Sequence, residues 1–116
     1  MSTAVIWVAD LEKSASFYKD LFEASDYYLA DGFASVSGLG NEVLLHLLPE
    51  QYRSEPSIGE DNPIKPVFQI NSIDSARAVA SKHGCSFRAE SAIHGDVTYL
   101  DGKDPDGHVI QVAVRN

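Results

Sequence analysis

Apolar and polar positions in the first half of the chain predict one helix among four strands. Residues 4–8 form a compact apolar run typical of a strand, and Asp10 is placed to cap a helix over residues 11–23. β-prone segments follow at residues 27–29, 33–36 and 43–48, separated by glycine-containing turns. The apolar residues of the helix recur at helical spacing and predict one buried face: Leu11, Ala15, Tyr18, Leu21 and Phe22. The predicted order is β-α-β-β-β.

The same order starts again in the second half. Residues 50–63 are polar and rich in proline and acidic side chains, which predicts a linker between a first module (1–49) and a second module (64–116). In the second module we expect strands at 65–70, 86–89, 97–100 and 108–114, and a helix over 73–83. Ser72 is placed to cap this helix and Gly84 to end it.

The two halves also align faintly in sequence. Residues 42–48 lie on residues 107–113, which places His46 opposite Gln111, and residues 8–12 lie on 70–74, which places Thr3 opposite Lys65. Two copies of such a module predict curved mixed sheets, with helices on the outer face and a concave inner face. The fold class is therefore α+β, with two βαβββ modules in a single domain over residues 1–116.

The composition limits the classes of partner that we expect the chain to bind. The chain has 116 residues and a net charge of −8, and no cluster of lysine or arginine appears in it. This balance excludes a nucleic acid backbone or an anionic membrane surface as the expected partner. We expect no secretion signal, because the first residues lack a basic segment followed by a long apolar run, and no transmembrane segment, because no apolar run is long enough. Cys85 is the only cysteine and is expected to be a small, half-buried residue, so we expect a reducing, cytoplasmic location.

Strand alternation selects the residues that would line the concave face. His46 and Leu44 share one face of their strand, and the opposite face must cover a helix, so we expect His46 to face a cavity. In that cavity Trp7 could stack on a ligand or could be ordinary core, the amides could form hydrogen bonds, and Lys65 could meet an anion. The facing of Tyr99 and Asp101 is undetermined, and Asp101 and Asp104 are expected to be turn residues. The expected lining residues are Thr3, Val5, Trp7, Leu44, His46, Lys65, Val67, Gln69, Tyr99, Val109, Gln111 and Ala113.

Three stretches carry a resemblance to a known family. They are residues 8–18, which end in Phe17-Tyr18, residues 67–84, where the pattern restarts, and the turn at residues 104–108. With them the chain resembles the vicinal oxygen chelate superfamily, which groups glyoxalase I, extradiol dioxygenases, fosfomycin resistance enzymes and bleomycin resistance proteins. The resemblance implies the glyoxalase/bleomycin resistance/dihydroxybiphenyl dioxygenase-like fold of paired βαβββ modules. It also implies a homodimer whose ligand cavity lies at the junction of modules.

Metal-using members of that superfamily place one ligand on the first and last strand of each module. Carried over by the resemblance, these four positions fall on Thr3, His46, Lys65 and Gln111. Only His46 is a good donor for a divalent ion, and a protonated lysine repels one. We therefore expect no metal site and no cofactor.

Three functions remain open from the sequence. The first is sequestration of a small aromatic or amphipathic ligand without chemistry, as the likeness to bleomycin resistance proteins implies, and the acidic net charge would help to attract a cationic ligand. The second is an enzyme of the lyase, isomerase or dioxygenase type. In it His46 acts as a general base or metal ligand, and Lys65 stabilises an enolate oxygen. The third is an interaction module with a vestigial pocket.

Overall fold

The structure, a computed structural model, describes residues 2–53 and 65–116. Its elements form two four-stranded sheets and two α-helices, which confirms the predicted fold class. The first module contains β1 (Ser2–Val8), α1 (Leu11–Leu21), β2 (Tyr28–Ala30), β3 (Phe33–Gly38) and β4 (Asn41–Leu47). The second contains β5 (Val67–Gln69), α2 (Ile73–His83), β6 (Ala92–His94), β7 (Val97–Lys103) and β8 (Val109–Arg115).

The two sheets have equivalent topologies. Their strand orders are β1-β4-β3-β2 and β5-β8-β7-β6. In each sheet the first and last strands of the module pair in parallel and the other pairs are antiparallel. Of the predicted linker, residues 50–52 form a short 3₁₀ turn, whereas residues 54–63 and the predicted start of the second module at residue 64 lie outside the described residues. The division at residues 49 and 64 stays a prediction.

Both helices begin at the predicted caps. The Asp10 side chain accepts a hydrogen bond from the Lys13 backbone N–H at 3.1 Å, and the Ser72 side chain accepts one from the Ser75 N–H at 3.0 Å. Gly84 ends α2 with a left-handed φ of 69°. Helix α1 ends two residues before the predicted boundary, because the backbone leaves helical geometry at Phe22 and Glu23 has a φ of 54°.

The core lies between the helices and one face of each sheet. Tyr18 and Phe22 of α1 pack against Phe68 of β5, with ring centroids 5.7 and 5.0 Å apart. In β4 the side chains of Val43 and Leu45 are fully buried, whereas Leu44 and His46 on the opposite face are only half-buried. The predicted alternation in this strand is therefore confirmed, and one face of each sheet remains open.

Two equivalent contacts tie the modules together. The Asn41 side chain donates to the Gln69 carbonyl at 2.8 Å and accepts from the Gln69 N–H at 3.0 Å. Asp106, which lies opposite Asn41 when the alignment is extended by one residue, accepts from the Ala9 N–H at 2.7 Å. His108 then places its Nε2 2.9 Å from the Trp7 carbonyl oxygen. Residues at or just before the last strand of each module thus bind the backbone at the end of the first strand of the other.

The turn before β8 is closed by Asp104. This carboxylate is buried and accepts hydrogen bonds from the Asp106 and His108 backbone N–H groups and from the Tyr18 hydroxyl, at 3.0, 2.9 and 2.7 Å. The expectation that Asp104 is a turn residue is confirmed. The same expectation for Asp101 is wrong, because Asp101 lies within β7.

The predicted strand over residues 86–89 is also wrong. Phe87 forms only an isolated bridge with Gly102, and the strand that pairs with β7 at the sheet edge is β6, at Ala92–His94. The Arg77 guanidinium from α2 donates to the carbonyl oxygens of Arg88 and Ala89, both at 2.9 Å. These carbonyls are therefore satisfied by a side chain instead of a neighbouring strand.

In residues 2–53 and 65–116, no helix has both the length and the apolar character that a membrane span requires.

Candidate functional site

A row of aromatic rings crosses the open face of the first sheet. The register places Trp7 of β1 beside His46 of β4, and His46 beside Phe33 of β3. The His46 ring centroid lies 5.0 Å from that of Trp7 and 5.3 Å from that of Phe33. We call Trp7, His46 and Phe33 the aromatic row. The row presents three adjacent planar groups on a surface that the helices do not cover.

A second row runs beside the first. It consists of Val5, Leu44, Ser35 and Tyr28, which face one another across the four strands. Trp7, Val5 and Tyr28 are 51%, 56% and 62% exposed, respectively. Large apolar side chains exposed to this extent on one face of a sheet are typical of binding surfaces. Trp7 is therefore not part of the core.

The polar groups of this face include Ser35, His46 and Thr3. His46 is half-buried between its two aromatic neighbours and makes no hydrogen bond with another residue that the structure describes. Its ring nitrogens can therefore serve a ligand. The Thr3 hydroxyl donates to the Glu42 carboxylate at 2.8 Å, at the other end of the face.

The open face of the second sheet has a different chemistry, because a network of polar side chains crosses it. Asp101 accepts a hydrogen bond from the Lys65 ammonium at 3.0 Å and from the Gln111 amide at 2.9 Å. Partial burial alone would raise the pKa of Asp101, but these hydrogen bonds and the charges of Lys65 and Arg88 lower it below its ordinary value. Asp101 is therefore a carboxylate at neutral pH, and its charge is paired.

The strand register shows on which face of the second sheet Tyr99 and Asp101 lie, which the sequence left undetermined. Asp101 lies beside Gln111 and Val67, and Tyr99 lies in the next row between Ala113 and Ala92. Of the expected lining residues here, Ala113 is fully buried, Val109 and Gln111 are half-buried, and Gln69 is exposed. A shallow depression of about 440 Å³ on this face is lined by Val67, Ala92, His94, Tyr99 and Gln111.

Arg88 lies between two further depressions that meet at Asp101. One of about 560 Å³ reaches from Arg88 to Tyr99 and Gln111, and one of about 390 Å³ reaches from Arg88 to Lys65 and Val109. Arg88 was not among the residues expected from the sequence, since it was assigned to a strand. The missing information was the placement of residues 86–88 beside β7, which their backbone hydrogen bonds to Asp101 and Lys103 define.

The four positions that the resemblance assigns to metal ligands do not fit a metal ion. Lys65 and Gln111 direct N–H groups at Asp101, and the Thr3 hydroxyl donates to Glu42. An ammonium has no lone pair to offer a cation and repels it, and the neutral oxygens of Thr3 and Gln111 are weak donors, so His46 is the only strong donor among the four positions. Over the described ranges 2–53 and 65–116, no three His, Cys, Asp or Glu side chains are grouped so that they could hold a metal.

Cys85 also lacks the surroundings of a reactive group. It is half-buried, as expected, and burial raises the pKa of its thiol. A raised pKa disfavours the thiolate that a nucleophile needs.

The arrangement of two βαβββ modules along the whole chain is shared with a family of known proteins. A model of the Glyoxalase/Bleomycin resistance protein/Dioxygenase superfamily matches residues 1–112. The chain belongs to this superfamily. Among curated proteins, none matches the chain.

Solved structures from the superfamily share the fold at low sequence identity. A glyoxalase/bleomycin resistance protein from Albidiferax ferrireducens T118 superposes with a TM-score of 0.75 at 19% identity, covering 100% of this chain and 98% of that one. The fosfomycin resistance protein FosX from Listeria monocytogenes gives 0.73 at 19% identity, with coverages of 100% and 90%. FosX from Mesorhizobium loti gives 0.70 at 15% identity, with coverages of 100% and 92%.

Within this superfamily fold, the expected lining residues form two groups. The aromatic row with Val5 and Leu44 lies on the first sheet, and the Lys65–Asp101–Gln111 network lies on the second. No hydrogen bond or ring contact joins the two groups within the part of the chain that the structure describes. Phe33 and Tyr28 were missed, although the alternation in residues 33–36 places Phe33 opposite the buried Ala34.

Proposed function

We propose that the protein binds and sequesters a small aromatic or amphipathic molecule, with the aromatic row as the main contact surface. The observation that carries the proposal is the exposure of Trp7 beside His46 and Phe33 on one uncovered face. Exposed aromatic groups in contact with each other gain when a flat apolar ligand covers them, because the ligand removes their surface from water. The His46 nitrogens supply one point for a hydrogen bond to that ligand.

The proposal includes a homodimer in the cytoplasm. The resemblance implies the homodimer, and the open apolar face is a surface that a second copy could partly cover. A reducing compartment agrees with the single cysteine of the sequence. The two groups of lining residues lie on separate sheets, so a dimer offers one way to bring them to the same ligand.

A second candidate is acid–base catalysis by His46. It is favoured by the ring nitrogens of His46, which have no hydrogen-bond partner among the described residues and so could take a proton from a bound substrate. Metal-dependent catalysis is not supported, because only His46 among the four expected ligand positions is a good metal donor.

A binding titration tests the proposal. The ligand is 2-naphthamide, and isothermal titration calorimetry measures its binding to the unmodified protein and to a Phe33→Leu variant. Removing one ring of the aromatic row should weaken binding by about five- to tenfold, because aromatic stacking contributes roughly 1 kcal/mol beyond area burial. Tyr52→Leu is the matched control, since Tyr52 is exposed but lies outside the row, and its affinity should equal that of the unmodified protein.

Absence of binding by the unmodified protein, or equal binding by Phe33→Leu, would contradict the proposal. His46→Gln separates the two candidates in the same titration. Sequestration requires that this variant keep most of the affinity, because the amide replaces one polar contact and the flanking rings remain. Acid–base catalysis requires turnover of a substrate that His46→Gln abolishes while it still binds.

A further inference from the structure

The groove of about 390 Å³ beside Asp101 is rich in positive charge. Three cationic residues line it, Lys65, Arg88 and Lys103, out of nine lysines and arginines in the chain. These side chains contrast with the net charge of −8 of the whole chain. At long range the acidic chain attracts cations, but at contact distance these side chains select the ligand group that binds.

The backbone that carries Arg88 is fixed at several points. The Arg88 N–H donates to the Asp101 carbonyl at 2.8 Å, and the Lys103 N–H donates to the Ser86 carbonyl at 3.0 Å. From the other side, the Arg77 guanidinium binds the carbonyl oxygens of Arg88 and Ala89. The backbone position from which the Arg88 side chain extends is therefore fixed by contacts from two other elements.

Among the described residues of the groove, the charges of Lys65, Arg88 and Asp101 do not cancel. Asp101 uses one carboxylate oxygen for Lys65 and the other for Gln111, and its single negative charge is matched by Lys65. The Arg88 guanidinium is close enough to lower the pKa of Asp101, yet it makes no hydrogen bond to a residue in the described ranges. Arg88 therefore contributes an unmatched positive charge with a planar set of donors suited to an oxyanion.

We propose that Arg88 and Lys65 bind an oxyanion of the ligand, a carboxylate or a phosphate, and that Arg77 positions Arg88 for this contact. The inference rests on the proposed function, because it names the polar group carried by the sequestered molecule. Side-chain cations then supply the positive charge that a metal ion, which the residues here do not fit, would otherwise bring. Lys65 has two further ammonium hydrogens for the oxyanion while it remains bound to Asp101.

Titration with matched probes tests the inference. The probes are 2-naphthoate, 2-naphthyl phosphate and the uncharged 2-naphthamide, measured by calorimetry and by backbone amide shifts in NMR. The anions should bind about tenfold more tightly than the amide, as expected for one charge-assisted contact, and this preference should shrink in high salt. The phosphate and carboxylate arms then show which oxyanion the groove prefers.

Protein variants show which residues cause the tighter binding of the anionic probes. Arg88→Gln should reduce the affinity for 2-naphthoate to about that for 2-naphthamide and leave 2-naphthamide unchanged. Arg115→Gln is the matched control, because Arg115 is an exposed arginine of the same module paired with Asp96. Arg77→Lys keeps the charge but loses the two separate guanidinium nitrogens that bind the two carbonyls, so it should lose the preference for anions, as should Arg77→Gln. Retained preference in Arg77→Lys would overturn the positioning role.

The experiment distinguishes failure of the oxyanion inference from failure of the proposed function. If 2-naphthamide binds but the anions bind no more tightly, or if Arg88→Gln keeps the preference, the oxyanion inference is wrong and the proposed function stands. If no naphthyl probe binds, the proposed function is wrong. Inorganic phosphate alone then decides whether the groove binds anions: shifts of the Arg88 and Asp101 amides support it, and unchanged spectra overturn it.

Discussion

Tyr18 and Asp104 form a hydrogen-bonded pair inside the core. The Tyr18 hydroxyl donates to the carboxylate at 2.7 Å, and both side chains are removed from water. Burial raises the pKa of Tyr18 well above its ordinary value, and the negative charge of Asp104 raises it further. Burial also raises the pKa of Asp104, against the hydrogen bonds that the carboxylate accepts. The pair links α1 of the first module to the turn before β8.

Tyr18→Phe should lower the free energy of unfolding at neutral pH by about 1–3 kcal/mol, because Asp104 loses a donor while remaining buried. The stability that the raised pKa represents is fully present below the ordinary tyrosine pKa of 10.0 and is lost as pH rises above it. Above that value the unfolded chain releases the Tyr18 proton and the folded chain keeps it, so stability falls. Urea unfolding at neutral and alkaline pH measures both effects.

The difference in the free energy of unfolding between Tyr18→Phe and the unmodified protein should therefore become smaller above about pH 10. Tyr52→Phe, at an exposed tyrosine without contact to Asp104, should follow the unmodified protein throughout. A gap that stays constant or widens with pH would contradict the assignment.

Some residue environments could not be read from the sequence. The turn residue Asp104 was predicted because aspartate before Pro-Asp-Gly has a local preference for turns. The pairing of Asp101 with Lys65 joins residues 36 positions apart, and the contact of His108 with the Trp7 carbonyl joins residues 101 positions apart. Such contacts depend on sheet register and on how the modules meet, which local patterns do not specify.

At the scale of elements, both helices were predictable because their boundaries are set by their own residues. Asp10, Ser72 and Gly84 act within a few positions of the helix ends they define. The failed strand at residues 86–89 shows the opposite case. The segment forms only one bridge with β7, and two of its carbonyl oxygens accept instead from the Arg77 guanidinium, which another element supplies.

Gly102→Ala tests how closely this segment packs on β7. A Cβ at Gly102 would collide with the ring of Phe87, so the alanine should lower the free energy of unfolding by about 1–3 kcal/mol through overpacking. Thermal unfolding measures the change. The double variant Gly102→Ala/Phe87→Ala should lose less than the sum of the two single variants, because removal of the ring frees the space. Strict additivity would contradict the packing argument.

At the scale of the whole molecule, the modules form one unit through matched contacts at both ends. Asn41 holds the end of β5, and Asp106 with His108 holds the end of β1. The apolar residues of both modules also form one continuous core, to which α1 and β5 both contribute. The modules are therefore expected to unfold together.

Asn41→Ala should lower the free energy of unfolding by about 1–3 kcal/mol, because the Gln69 N–H and carbonyl both lose their partner. Urea unfolding followed by circular dichroism should still give one transition, since the shared core remains. Asn41→Asp is the informative comparison, because a carboxylate can accept from the Gln69 N–H but cannot donate to its carbonyl, so it should recover only part of the loss. Full recovery would show that one hydrogen bond suffices.

The correspondence between Asn41 and Asp106 bears on how such a chain could arise. In each half a side chain at or just before the final strand binds the backbone near the end of the other half's first strand, an arrangement that two copies of a half-length polypeptide could form around a twofold axis. Fusion of two such genes would preserve every closing contact and then let the halves diverge. One copy could become aromatic and the other ionic, which a strictly symmetric ancestor could never achieve.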